Sequence, residues 1–572
     1  MKTVRARLEE RLRTALSRLG LDPATAEITQ TADSRFGDYQ SNAAMVLAQR
    51  EHRNPRELAA DLAAAVDVTG LAEPPTLAGP GFLNFRLTAD FLSEATTRLA
   101  ADPRLGVDPP AEPLRIVIDF SAPNVAKPMH VGHIRSTFIG DALARVARFL
   151  GHHVVTDNHI GDWGTQFGKV IHGWKHSLDR DALAADPIPE LLRLYRHVNS
   201  LEATDEALAR TVREELVKLQ SGDAENLAIW QQVVDLSWRG FEKFYTLLEI
   251  EFDEHLGESS YRDALGPLVD RLLADGTARI SEGAACIFFP DDPDLAERPC
   301  LIRKSDGGFL YATTDLATLE SRVARHAPDA IWYVTGAPQA LHFQQVFAAA
   351  KRMGIAVDAR HIPFGSILGE DRKIMRTRSG ENVQLADVLT EAIDRARAIV
   401  AEKNPDLPPA EVDSIARTVG LGAVKYAELS QNRLTDYVFA WDKMLSFQGN
   451  TAPYLQNAYV RIQSIFRKAD TSPTSQQPPV AIHLATVTER TLALRLIQFA
   501  ETLPLVLDDC RPNLLANYLY ELATTFHAFY EACPVLQSEG PTRASRLALC
   551  ATTARTLRTG LDLLGIRVPE KM

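Results

Sequence analysis

LRIVIDFSAPNVAKPMHVGHIRSTFIGDALARVARFLGHHVVTD (114–157) decides the fold. Its first seven residues are apolar almost throughout, as a strand buried on both faces of a parallel sheet must be. A loop follows. Ile134, Phe138, Ala142, Val146 and Leu150 then recur every four residues and mark a helix. Gly151 supplies the helix stop, and HHVVTD (152–157) reads as the next strand. Strand, loop, helix and strand make a βαβ unit, the seed of a doubly wound sheet. A second unit is expected at AIWYVT (330–335), a helix running to Gly354, and a strand over 361–367.

Working outward, three breaks divide the chain: 101–113 with four prolines and a glycine, KNPDLPP (403–409), and ADTSPTSQQPPV (469–480). The expected segments are an α+β domain over 1–110, the first half of the α/β core over 111–170, and a largely helical insertion over 171–300. The second half of the core covers 301–385, a helical connector 386–450 and an all-α domain 451–572.

The chain has 572 residues, 45% of them apolar and 24% charged, which suits a globular protein of several domains. Net charge is −12, so the surface is not uniformly prepared for nucleic acid. Residues 451–572, with 12 Lys/Arg against 10 Asp/Glu, run the other way. No apolar run approaches the ~20 residues of a membrane span. Residues 1–19 mix Arg, Glu and Leu at helical spacing, unlike a signal peptide. The five cysteines are odd in number and include no CxxC pair, so neither a disulfide framework nor a zinc site is favoured. A cytoplasmic location, no membrane and no bound metal are expected.

Within SAPNVAKPMHVGH (121–133) two histidines flank a glycine where a helix leaves a parallel strand. Unpaired N–H groups and the positive helix end favour phosphate there. His130 and His133 can donate hydrogen bonds to its oxygens, and Gly132 leaves room for a flat base. The residues alone fit a plain strand-to-helix turn about as well. GDWGTQFG (161–168), taken alone, reads more readily as a glycine-rich turn with Trp163 in the core than as a ligand contact. In LYATTDLA (310–317) Asp315 is a carboxylate suited to a cationic ligand, and Tyr311 lies one helical turn before it, although a lone Asp is more often a helix cap or a solvated surface group. Asp119 stands at the carboxyl end of the first strand, where ligands of such sheets bind. APQALHF (337–343) contributes Gln339 and His342, the latter as readily a packing residue as a functional one. GEDRKIMRTRSG (369–380) is a basic, glycine-flanked loop with Lys373, Arg376 and Arg378.

These runs, with TAPYLQNAYVRI (451–462) and RVPEKM (567–572), resemble class I aminoacyl-tRNA synthetases, and the arginyl family in particular, over essentially the whole chain. The resemblance implies a Rossmann-like, HIGH-type catalytic core with an α+β N-terminal domain and an all-α anticodon-binding domain. It implies that arginine is activated with ATP and passed to tRNA(Arg), with Mg²⁺ but no zinc, by a monomer. His130, His133 and Lys127 would be catalytic. ATP would meet Pro123, Asn124, Val125, Ala126, Lys127, Pro128, Met129, His130, Val131, Gly132 and His133, then Lys373, Arg376 and Arg378. Arginine would meet Asp119, Ser121, Asn124, Tyr311, Asp315 and Gln339. Transfer RNA would meet Tyr39 and Asn84 in FGDYQSN (36–42) and GPGFLNFRL (79–87), and Tyr454 and Arg461 near the C-terminus. The basic loop departs from the family's KMSKS pattern, since Thr377 stands where a second lysine is usual. In such members a lysine before the HIGH run compensates, and Lys127 holds that place. The rivals are another class I synthetase or nucleotidyltransferase, and a non-catalytic RNA-binding paralogue.

Overall fold

The computed structural model describes residues 2–369, 371–373, 375, 383–471 and 480–572. The chain forms two compact units: residues 110–405 with 412–444, and residues 1–109 with 406–411 and 445–572.

The first unit is built on β1 (Arg115–Asp119), α1 (Val131–Leu150), β2 (His153–Asp157), β3 (Ala330–Tyr333), α5 (Ala340–Arg352) and β4 (Asp358–His361). Its other helices include α2 (Pro187–Glu202), α3 (Ala224–Leu248), α4 (Tyr311–His326), α6 (Leu385–Lys403) and α7 (Pro409–Leu429). The strands are parallel in the order β4–β3–β1–β2, which puts both expected βαβ units in one sheet. Four of the five β1 residues and all four of β3 are buried, because helices cover both faces. Gly151 ends α1 at φ 106°, a left-handed position that glycine adopts without a side-chain clash.

One expectation is corrected. The strand placed at 361–367 lies three residues earlier, at Asp358–His361. Pro363 has no N–H to give a sheet ladder, so pairing stops before it and resumes as β5 (Ile367–Leu368), parallel to β6 (Tyr437–Val438). The insertion is largely helical, and a small antiparallel sheet of Arg279–Ser281, Ala284–Ile287 and Cys300–Arg303 follows its helices. Its first turn is Glu282–Gly283 at φ 50° and 81°, the two positive angles of a tight hairpin, and a Glu-Gly pair is a weak signal for that in sequence.

In the second unit, Thr29–Gln30, Tyr39–Ser41, Phe82–Phe85 and Thr76–Ala78 pair antiparallel in that order. The late helices include α8 (Ala452–Lys468) and α9 (Asn513–Ala532). Residues from the two ends of the chain meet inside this unit. Arg490 donates to both oxygens of Asp38 at 2.9 and 2.6 Å, and Tyr39 Oη donates to Glu501 at 3.1 Å. The expectation that Tyr39 and Asn84 touch tRNA is corrected here. Tyr39 is 0% and Asn84 2% exposed, and burial leaves them no face for RNA.

Candidate active site

The loop from β1 to α1 is held in costly backbone conformations. Ser121, Ala122 and Ala126 have φ of 75°, 46° and 62°, which side chains with a Cβ rarely adopt. Hydrogen bonds on every side hold it. Ser121 N donates to Ser136 Oγ at 2.8 Å, Ala122 N to Asn158 Oδ1 at 3.1 Å and Ala126 N to Ser237 Oγ at 3.0 Å. Ser121 Oγ lies 2.8 Å from Tyr245 Oη and accepts from Thr137 at 2.9 Å, so its hydroxyl is part of this network. Ser237 and Tyr245 both belong to α3, which thus braces the loop.

Where the loop enters α1, two imidazoles cap the helix. Gly132 N donates to His130 Nδ1 at 3.1 Å, and His130 N donates to His133 Nδ1 at 3.1 Å. A ring that accepts at Nδ1 carries its proton on Nε2, which sets His130 as a donor at its far nitrogen; His133 Nδ1 lies between the His130 N–H and, at 3.3 Å, the His130 carbonyl, and its tautomer follows the one it pairs with. Burial, then Lys127, lowers the His130 pKa; burial, then His130, lowers that of His133 from 6.5 to about 3. Both are neutral at pH 7. The unfolded chain therefore takes up this proton first as pH falls. The His133 contribution is complete above about pH 6.5 and is lost as pH falls toward 3. At pH 5 it should cost about 2 kcal/mol of stability. His133→Asn, whose amide oxygen can still accept, should lose less stability than wild type between pH 7.5 and 5 in thermal melts. Parallel losses would refute the assignment.

Asp315 and Tyr311 lie one turn apart on α4, as their spacing requires. Tyr311 is 69% exposed, whereas Asp315 is partly buried and accepts from His342 Nε2 at 2.5 Å. Asn124 is exposed and bridges to Gly161, at which a Cβ would come within 2.5 Å of Asn124 Oδ1. Gln339 is exposed on a single turn, Ala337–Gln339.

Asp119 has a partner inside the core. Burial raises its pKa, but Arg322 Nη2 donates to it at 2.6 Å and to Asp157, its neighbour on β2, at 2.7 Å. Asp119 thus gives Oδ2 to an internal guanidinium that it shares with Asp157.

Sequence reasoning missed Glu258. It opens a short turn, Glu258–Tyr261, and takes a backbone hydrogen bond from Trp163. Burial, then the charges of Asp315 and Asp162, raises its pKa to about 8. In sequence it is one glutamate among many. The only hint is Gly257, where a Cβ would lie 2.5 Å from the Asp162 carboxylate.

The basic loop is rooted at both ends. On one side β5 pairs with β6. On the other, Val131 N donates to Val383 O and Leu385 N to Met129 O, each at 3.0 Å. Arg135 on α1 is 1% exposed and donates to Glu428 of α7 at 2.8 Å and to the Thr435 carbonyl at 2.9 Å, which ties the β6 strap to the capped helix. Lys373 is exposed, while Arg376, Thr377 and Arg378 lie outside the described residues. The Lys127 ammonium sits 4.8 Å from the Tyr195 ring centroid.

Family models match three consecutive stretches of the chain: "Arginyl tRNA synthetase N terminal domain" over 6–87, "tRNA synthetases class I (R), catalytic domain" over 97–441 and "DALR anticodon binding domain" over 455–572. The chain belongs to the arginyl-tRNA synthetase family. Curated arginine–tRNA ligases from Chromobacterium violaceum and Thermobifida fusca are 44% and 46% identical, covering 100% and 94% of each chain. Among solved structures, the arginyl-tRNA synthetases of Plasmodium falciparum and Thermus thermophilus superpose with TM-scores of 0.85 at 26% and 27% identity. They cover 100% and 99% of this chain and all of their own.

In the stretch matched by the anticodon-binding model, Tyr459, Tyr518 and Phe526 are core, at 2%, 5% and 0% exposure. Tyr454 packs 5.5 Å from Tyr520 and 5.2 Å from His527; Arg461 lies 5.5 Å over Tyr530. This group joins α8 to α9, and its rings and guanidinium are the kind on which unpaired bases stack.

Proposed function

We infer that this chain activates arginine with ATP and transfers it to the 3′ end of tRNA(Arg). Arginine's carboxylate attacks the α-phosphorus; the arginyl-phosphate bond forms as pyrophosphate leaves. The terminal ribose hydroxyl of the tRNA then attacks the arginyl carbonyl, and AMP departs. No protein nucleophile takes part. His130 and His133 donate hydrogen bonds to phosphate oxygens at the positive end of α1, where developing charge is stabilised. Pro123 to Val131 and Gly132 form the floor under the nucleotide. Lys373, Arg376 and Arg378 supply cations from the basic loop, and Mg²⁺ enters as the counterion of ATP. Tyr454 and Arg461 meet the anticodon end. We place the enzyme in the cytoplasm as a monomer; its five cysteines are all buried and no two of them are joined in a disulfide.

One observation carries the reading. Asn124 of the histidine loop bridges to Gly161, two residues before Trp163, whose N–H holds Glu258 beside Asp315. The phosphate-binding loop and an acidic pocket for a cation are thus contiguous. Tyr311, Asp315 and Glu258 take the guanidinium, and Asn124, Gln339 and the Ser121 network hold the amino-acid head. ATP–pyrophosphate exchange with each amino acid, with and without tRNA, tests this. Exchange with arginine alone is expected, and exchange with any other amino acid at a comparable rate would refute it.

Glu258 gives the site a pH dependence. With a pKa of about 8 it is mostly protonated at pH 7, and a guanidinium binds its ionised form, so arginine should displace a proton. Affinity should rise with pH, by up to about tenfold per unit below pH 8, and then level. Calorimetry in two buffers of different ionisation heat measures the proton directly. Glu258→Gln should abolish the release, and a wild type that releases none would remove Glu258 from the pocket.

A further inference from the structure

A cavity of about 780 Å³ lies between α2, α3, Pro128–Met129 and the start of α6. That is the size of a ligand site, and none of His130, His133, Glu258, Tyr311 or Asp315 lines it. Its character changes along α2. Ile188, Pro189 and Leu192 in the first turns are apolar and face Phe241 and Phe244 of α3. Arg196, His197 and Ser200 follow one and two turns on, opposite Lys243. Among the lining residues three cations stand against a single carboxylate, Asp186, in a chain whose net charge is −12. Arg193 is already paired with Glu190 at 2.6 Å, whereas Lys243 has no ion-pair partner among the described residues. An apolar end and a cationic end suit an amphipathic anion. The flat faces of Pro189 and the Phe244 ring suit a planar heterocycle, and Gln384 and Ser200 offer hydrogen bonds that an alkyl chain cannot use.

We propose that this cavity is a second nucleotide site, which seats one base between α2 and α3 and its phosphate at Arg196 and Lys243. Two sources share that chemistry: an unpaired ribonucleotide near the tRNA 3′ end, and a free mononucleotide. The site is placed to act on catalysis. One wall is Met129, the other Gln384, and these segments are joined by the His130–Gln384 bridge at the root of the basic loop. A third wall is α3, which braces Ser121 and Ala126 through Tyr245 and Ser237. An occupant therefore touches the supports of both phosphate-handling elements. The proposal does not depend on which amino acid is activated.

The test uses the full-length enzyme with its catalytic site filled by a non-hydrolysable arginyl-adenylate analogue. The trinucleotide CCA, AMP and decanoate are titrated separately by calorimetry. CCA or AMP should bind once, and binding should weaken at least tenfold in Leu192→Trp, which fills the apolar end, and in Lys243→Glu, an exposed position chosen in case the first variant fails to fold. Binding of CCA without AMP assigns the RNA end, and binding of AMP assigns the free nucleotide. The proposal is overturned if neither nucleotide binds the filled enzyme, if both variants bind as wild type does, or if decanoate binds more tightly than either nucleotide. Arginine-dependent exchange is measured alongside, so a failure of the functional reading is seen separately.

Discussion

Asp315→Ala is expected to weaken arginine binding by about 150-fold while leaving the KM for ATP within about threefold. The guanidinium keeps its charge at any working pH, so it cannot escape a lost partner by releasing a proton. Removing one member of a buried ion pair costs ~3–5 kcal/mol. Because Asp315 retains 20% of its side-chain exposure, the low end applies, and ~3 kcal/mol is about 150-fold. His342, which donates to Asp315 at 2.5 Å, also loses its acceptor. Asp315→Asn separates the two effects, since the amide oxygen can still accept from His342 while the charge is gone. It should lose most of the arginine affinity with less harm to stability. Arginine affinity within twofold of wild type in Asp315→Ala would show that the guanidinium lies elsewhere.

Lys127→Ala is expected to slow adenylate formation by about 30-fold, ~2 kcal/mol of barrier. Pyrophosphate leaves with several negative charges, and cations that meet it only as the bond breaks speed the step. Thr377 leaves the basic loop without its usual second lysine. Lys127 stands three residues before His130, and its ammonium lies 4.8 Å from the Tyr195 ring. That ring holds the cation near the loop without neutralising it, at a cost of ~1 kcal/mol to remove it from the face. Pre-steady-state adenylation should fall in Lys127→Ala and recover in part in Lys127→Ala/Thr377→Lys. Tyr195→Leu should fall by a few-fold only. An unchanged rate in Lys127→Ala would take this residue out of the mechanism.

What the sequence made legible was local. The strand, capped helix and second strand of 114–157 follow from periodicity and one glycine, and Asp315 with Tyr311 follows from a spacing of four. What stayed hidden depends on distant partners. The core partner of Asp119 is invisible locally, because Arg322 lies 203 residues on. Tyr39 looked like an RNA contact because its acceptor, Glu501, is 462 residues away. Glu258 carries no local mark beyond the glycine before it, since its raised pKa comes from burial and from carboxylates on other segments. Periodicity reports which face is buried; it does not report what that face meets.

The union of residues 1–109 and 445–572 in one compact unit also bears on how the chain is made. Asp38 and Tyr39 emerge from the ribosome early, yet their partners Arg490 and Glu501 come 452 and 462 residues later. At ~5–20 residues per second, synthesis leaves that surface waiting for roughly 25 to 90 s. During that interval a carboxylate and a phenol destined for burial face solvent, beside the open sheet of Thr29–Gln30 and Thr76–Ala78. The parallel sheet, whose strands all lie within residues 115–361, is complete sooner. Synthesis order thus completes the parallel sheet before the unit that joins the two ends of the chain.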